Sequence, residues 1–274
     1  MRILVAGGTG IIGRGLIPAL VAAGHEVVAT TRREDKLPQL SELGATGAVV
    51  DVYDAGRLAS VVAQAAPDVI IDELTDLSEH DTDANARLRR EGTANLVAAA
   101  RTAGVERMLV ESIAWTVPDG DGMATEDDPI IPGSAVAAME ELAHTMPHAT
   151  VLRYGLLYGP GTWYAPGGEF ANAVMAGSVP ATTAITSFAH IDDVVAATVS
   201  AIDWPDGTYQ IVDDEPATAL EWLPVYAAGL RAPAPKEAPL PDGARTGRAI
   251  SNAKARAAGW TPTYPSWRGG FPKV

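Results

Sequence analysis

A chain of 274 residues, 47% of them apolar, can bury one large α/β core or a nucleotide domain with a smaller lobe. Lys plus Arg number 20 against 34 Asp plus Glu, a formal charge of −14, which leaves no broad basic face for a nucleic-acid backbone and argues against such a partner. With no Cys there is no disulfide, thiolate or zinc–thiolate chemistry, and no apolar run reaches the roughly 20 residues that span a bilayer.

The chain opens with "RILVAG" (2–7), a strand that turns to glycine too soon to read as a secretory leader, so the cytoplasm is the expected compartment. "IIGRGLIPALVAAG" (11–24) is the first helix and "HEVVATT" (25–31) the second strand. "ATGAVVD" (45–51) is followed by the helical "AGRLASVVAQAA", and "DVIIDEL" (68–74) by "DANARLRREGTANLVAAARTAG". "ERMLVES" (106–112) and "HATVLRYG" (148–155) complete six strands, and helices end at Gly24 and Gly104. Strand and helix in alternation predict an α/β fold built on a doubly wound parallel Rossmann sheet. After about residue 155 the pattern loosens into the short strand "GTYQIV" (207–212), the isolated helices "IDDVVAATVSAI" and "TALEWLPVYAAGL", and a Pro-rich loop at 231–247. The expected division is a dinucleotide-binding domain at 1–155 and a smaller α+β lobe at 156–274, integrated as one unit.

"GGTGIIG" sets Gly7, Gly10 and Gly13 between the first strand and the first helix. Glycine there permits a tight turn and a close approach of backbone to pyrophosphate, which the helix N-terminus then faces with free N–H groups. The expected cofactor contacts are Gly7, Thr9, Gly10, Ile11, Ile12 and Gly13. At the end of strand two, where an NAD binder usually carries an acid for the ribose hydroxyls, stand Arg32 and Arg33. Guanidinium groups suit a 2′-phosphate, so NADP is expected, with NAD the alternative; the competing reading pairs these arginines with Glu34 and Asp35 in a solvated loop. Asp51 and Val52, after strand three, are placed for the adenine, and Leu74 and Thr75 follow strand four.

With "GGTGIIG", "DVYD", "GTANLVAAARTAGVERMLVES", "LRYGLLYGPGT", "SFAHIDDVVAAT" and "SNAKARAAGWTPTYPSW", the chain resembles the extended or atypical short-chain dehydrogenases/reductases, the epimerase/dehydratase superfamily, over nearly its whole length. That resemblance implies a hydroxyl residue after strand five, then a Tyr and a Lys four residues apart on the next helix. The position matching the hydroxyl residue is Ile113, with Ser112 one place earlier. In "PGSAVAAMEEL" (132–142) the Tyr and Lys positions hold Pro132 and Val136, or Gly133 and Ala137 in the other register. Positioned acid–base catalysis contributes about 10²- to 10⁴-fold, so the chemistry has been abandoned or relocated.

Ligands of an open α/β sheet lie outside the carboxyl ends of its strands. Candidates there are Asp72, Glu73 and Thr75 after strand four, Glu111 and Ser112 at strand five, and Tyr154 after strand six. Asp72, Glu111, Ser112 and Tyr154 are the candidate catalytic residues, since a carboxyl beside an apolar pocket has its pKa raised and can trade protons. The alternative is that each carboxylate caps a helix or points outward. No two of His25, His80, His144, His148 and His190 share metal-ligand spacing on a helix, because Pro147 interrupts the closest pair, and no metal is expected. His80, in the loop after strand four, reads as a surface residue within reach of the pocket. Trp163, Tyr164, Trp260, Tyr264 and Trp267 read as lobe core, with a substrate-pocket lining the alternative for Trp163 and Tyr164 in "GPGTWYAPGG". Three functions remain open: an NADP-dependent oxidoreductase on a small, natural-product-like substrate, a non-redox cyclase, dehydratase or isomerase using the strand-end carboxylates, or a cofactor-sensing regulator. The expected partner is a small-molecule substrate, with a homodimer as the default assembly and no nucleic acid or membrane.

Overall fold

The computed structural model describes residues 1–75 and 81–273, so His80 lies outside the described residues. The strands are β1 (Arg2–Ala6), β2 (Glu26–Thr31), β3 (Thr46–Val49), β4 (Val69–Asp72), β5 (Arg107–Ile113), β6 (His148–Tyr154), β7 (Leu156–Tyr158), β8 (Ile185–Thr186), β9 (Phe188–His190), β10 (Gly207–Ile211) and β11 (Ala217–Thr218). Seven of them form the main sheet, in the order β10-β6-β5-β4-β1-β2-β3. The other four are short and pair as β7 with β9 and β8 with β11. Strand β1 runs parallel to both β2 and β4, with Ile3 facing Val27 on one side and Val69 on the other. Parallel strands are covered on both faces, which is why β1 and β4 are near-continuous apolar runs rather than alternating ones.

Helices α1 (Ile11–Ala22), α2 (Leu37–Glu42) and α3 (Ala55–Ala65) connect the first four strands. Asp54 starts α3 by accepting from Arg57 N at 2.9 Å, as its short carboxylate suits an N-cap. Between β4 and β5 the chain runs through α4 (Thr82–Arg87), a π-helical turn at Leu88–Gly92 and α5 (Thr93–Thr102) without a break. The predicted single helix thus carries a widened turn in its middle. Helix α6 (Ala135–Ala143) is the "PGSAVAAMEEL" helix, opened by Ser134, whose Oγ accepts from Ala137 N at 3.1 Å. Helices α7 (Glu169–Met175), α8 (Ile191–Ser200), α9 (Ala219–Gly229), α10 (Ala253–Ala257) and α11 (Trp267–Gly270) follow. Among the described residues no helix is long and apolar enough to cross a membrane.

The chain forms two compact units, and they are not the contiguous halves expected from composition. One comprises Met1–Ser112, Pro132–Leu152 and Val195–Thr208; the other comprises Ile113–Ile131, Arg153–Val194 and Tyr209–Val274. The boundary at 155 is therefore corrected. The segment after β5 packs with the C-terminal residues, whereas most of α8 packs with the nucleotide-type unit. The strand expected at 207–212 forms at Gly207–Ile211, but its place in the smaller lobe is corrected: as β10 it adds to the main sheet.

The second unit has an aromatic core of Tyr158, Tyr164, Phe188, Trp222, Tyr226, Trp267 and Phe271, with Phe188 and Trp222 in edge contact at 5.2 Å. Its C-terminal segment is held by buried carboxylates. Asp193 accepts from Thr263 N and Tyr264 N at 2.6 and 2.9 Å, and Asp213 from Trp267 N at 2.9 Å. Trp260 and Trp267 are buried and Tyr264 stacks on His190, but Trp163 is 41% exposed and is not core.

Candidate active site

The strand order reverses between β1 and β4, so the crevice at their carboxyl ends is the expected ligand position. Gly7 stands there with φ of +88°, and a Cβ on it would lie 2.5 Å from Glu73 O. A Cβ on Gly13 would lie 2.7 Å from both Gly7 O and Gly8 O. Glycine at both positions lets the loop close onto itself and onto the end of β4. Gly10 is the N-cap of α1, no side chain caps the helix, and its first turn holds no acid. Its leading N–H groups and positive dipole end are therefore available to an anion, and these features fit a dinucleotide pyrophosphate. Thr9 and Ile11 are half-buried, whereas the Ile12 side chain is buried in the core and offers only backbone to a ligand.

After β2, Arg32 and Arg33 are exposed. Arg33 is engaged by Asp35 through a two-pronged ion pair, Nη2–Oδ2 2.5 Å and Nε–Oδ1 3.0 Å, which follows the solvated-loop reading for that residue. The pair holds the Arg33 guanidinium above, and the Asp35 carboxyl below, their ordinary pKa. Asp51 Oδ1 accepts from Tyr53 N at 3.0 Å, and buried Val52 is fixed by Asn95, whose Nδ2 donates to Val52 O at 2.9 Å.

The four carboxylates and hydroxyls at the ends of β4 and β5 take different roles. Asp72 spends both oxygens on its surroundings: Oδ1 accepts from Leu74 N at 3.1 Å and Oδ2 from Thr93 Oγ1 at 3.3 Å. Burial raises its pKa to about 6 against those two hydrogen bonds. It shapes the turn that carries Leu74 and the exposed Thr75. Glu73 and Glu111 are both buried and hydrogen-bonded to each other. Such a bond between two carboxyl groups requires a proton, so the pair shares one. Burial pushes Glu111 up to about 7, opposed by the Glu73 hydrogen bond and the positive charge of Arg89, and assisted by Asp72. Ser112 Oγ donates to Glu140 Oε1 at 2.5 Å, a charge-assisted length, with both residues buried. Tyr154 belongs to the second unit and is buried at 3% exposure. The first unit thus brings together Asp72, Glu73, Glu111 and Ser112.

Two residues of this network lie outside the sequence-based expectations. Glu140 lies on the buried stripe of α6 with Val136, Ala137, Met139 and Ala143, and a Glu in an otherwise apolar stripe is the signal that marks it. Arg89 lies on the π-helical turn, where no sequence signal announces the change of helical phase. Among the described residues, no group of three or more His, Asp or Glu side chains is placed to hold a metal ion.

A parallel sheet with its glycine loop at the reversal point, and buried acids beside that loop, defines a dinucleotide-dependent enzyme of the Rossmann type. The chain belongs to the NAD dependent epimerase/dehydratase family, whose family model matches residues 3–212, and it is an NAD(P)-dependent oxidoreductase-type enzyme. It is 41% identical over 305 residues to the 3-diazoavenalumate denitrifying reductase of a Streptomyces species, covering 99% of each chain. It is also 33% identical over 129 residues to a 4-hydroxy-2-methyl-3-oxo-4-farnesyl-3,4-dihydroquinoline-1-oxide ketoreductase of Stigmatella aurantiaca, covering 47% of this chain and 38% of that one. Among solved structures, the UDP-glucose 4-epimerase of Thermus thermophilus, in complex with NAD, superposes with a TM-score of 0.81 at 25% identity, covering 100% and 97% of the two chains.

Proposed function

We propose that this chain is an NADPH-dependent reductase that removes the diazo group from a diazo carboxylate, an intermediate of natural-product assembly. The observation that carries the proposal is the end-to-end likeness to a denitrifying reductase of a diazo acid. The loss of the Tyr and Lys is consistent with it. When bound, the dinucleotide supplies a hydride. In the overall change the hydride forms a C–H bond at the carbon that bore the diazo group, the C–N bond breaks, and its electron pair leaves with dinitrogen. A diazonium cation needs no proton for this, whereas a neutral diazo form needs one. A phenolic Tyr activated by Lys is thus dispensable in the first case, and a carboxyl that retains a proton near neutral pH suffices in the second.

In this reading Gly7, Thr9, Gly10, Ile11, Ile12 and Gly13 hold the pyrophosphate, and Asp51 and Val52 meet the adenine. Leu74 and Thr75 border the ribose of the nicotinamide. Arg32 supplies the charge for the 2′-phosphate, with Arg33 beside it tethered to Asp35, so NADPH is preferred to NADH. Glu111 and Glu73 contribute one negative charge that favours a cationic diazo group, and one proton that serves a neutral one. Ser112 orients the substrate, and Asp72 keeps the β4 turn in place. Incubating the protein with 3-diazoavenalumate and NADPH tests the reading: equimolar NADPH oxidation and dinitrogen release support it. Reduction of ketones with no reaction of the diazo acid overturns it.

A further inference from the structure

Arg89 is half-buried on the π-helical turn, in the same unit as the glycine loop and the acid pair. Burial lowers its pKa, and Glu111 acts on it only through space. Among the described residues its guanidinium forms no hydrogen bond or ion pair. Its arginine neighbours are engaged: Arg87, the last residue of α4, holds Glu91 at 2.6 Å, and Arg90, on the same turn, donates to Gly133 O at 3.2 Å. A partly desolvated guanidinium whose donors meet no protein group among the described residues is open to water and to an anionic ligand, and its planar fork matches a carboxylate. A π-turn is rare and recurs at functional sites, where it re-aims a side chain without ending the helix. Glu111 gives Arg89 only part of a counter-charge, because burial pushes its carboxyl up to about 7.

We propose that Arg89 is the carboxylate anchor of the substrate site, gripping the acid group of the substrate through its planar fork. The assignment rests on the diazo-acid reading above and deepens it. It also sorts the charges of the site. A substrate with an anionic tail and a cationic or electron-poor diazo head meets a guanidinium at one end and an acid pair that favours positive charge at the other. An anionic oxygen could instead come from a dinucleotide phosphate, and the experiment separates the two sources.

The test is calorimetric binding of the denitrified product, avenalumate, and of its methyl ester to wild type, Arg89→Leu and Arg89→Lys, each saturated with NADP⁺, together with NADPH binding to each free protein. Charged hydrogen bonds of this kind correspond to about 10- to 100-fold in affinity. The acid is expected to bind Arg89→Leu that much more weakly than wild type, with Arg89→Lys intermediate, because an ammonium keeps the charge and loses the fork. The ester should bind all three alike and NADPH affinity should not change. Equal binding of acid and ester to wild type overturns the proposal, as does a parallel loss of both in Arg89→Leu. A loss confined to NADPH also overturns it and assigns Arg89 to a phosphate. Turnover of the diazo acid is scored separately. Acid-selective binding without turnover sinks the proposed reaction and leaves the anchor, whereas turnover that ignores the carboxylate sinks the anchor and leaves the reaction.

Discussion

The close approach of the glycine loop to the end of β4 can be isolated by comparing two alanine substitutions. Gly7 and Gly24 have nearly the same φ, +88° and +86°. An alanine at Gly24 would meet nothing within 4 Å, whereas at Gly7 its Cβ would fall 2.5 Å from Glu73 O and 2.9 Å from Glu73 C. The left-handed conformation alone costs a non-glycine residue about 1–2 kcal/mol. Forcing an atom into a filled space adds about 1–3 kcal/mol. Gly24→Ala should therefore lose about 1–2 kcal/mol and Gly7→Ala about 2–5 kcal/mol, the excess measuring the steric contact alone. The assay is urea unfolding of both variants, paired with NADPH titration. Gly24→Ala should bind NADPH like wild type and Gly7→Ala far more weakly, because the loop must lift from Glu73. Equal stability losses would refute the packing described at the site, and unimpaired NADPH binding by Gly7→Ala would refute its role in holding the cofactor.

Glu111→Gln should change the pH dependence of stability. The folded pKa, raised to about 7 from an ordinary 4.5, means that the folded chain keeps a proton the unfolded chain has lost, so wild type loses stability as pH rises through that window. At about 1.4 kcal/mol per unit the loss approaches 3 kcal/mol, and Gln removes it. Urea unfolding should find the variant close to wild type at pH 4.5 and more stable at pH 8; a gap that does not change with pH contradicts the shared-proton pair. Asp35→Ala should release Arg33 and raise NADPH affinity several-fold in low salt while leaving NADH affinity unchanged, as calorimetry can read; equal gains for both would show that neither arginine meets a 2′-phosphate. Ser112→Ala withdraws the donor from buried Glu140 and should cost about 1–3 kcal/mol in a thermal or urea melt, and a neutral outcome would mean that Glu140 does not depend on that hydroxyl.

What the sequence made legible follows the range of the forces involved. Strands β1 and β4 are short apolar runs closed by glycine or an acid, and the helices between them keep one apolar face, so local pattern was enough to place them. The glycine loop was equally plain, because its spacing is tied to local backbone geometry. The place of β10 in the main sheet was not, since pairing across a long stretch of chain leaves no periodic trace. The interleaving of the two units escaped for the same reason. Within the site, the acids at 72, 73 and 111 stood out as polar residues at apolar strand ends, but their division of labour depends on hydrogen bonds. Asp72 turned out to be committed to Leu74 and Thr93, and Glu111 to Glu73. Arg89 was hidden by the π-turn, whose extra residue changes the face on which every later side chain of the helix emerges.

The most direct test of the account is to follow the hydride itself. The protein would be given 3-diazoavenalumate with NADPH deuterated at C4 of the nicotinamide in either stereochemical form. The account predicts that one of the two forms delivers deuterium to the carbon that lost nitrogen, one atom per dinitrogen released and per NADPH consumed. Dinitrogen released with protium from water at that carbon, or with NADPH left intact, would contradict it.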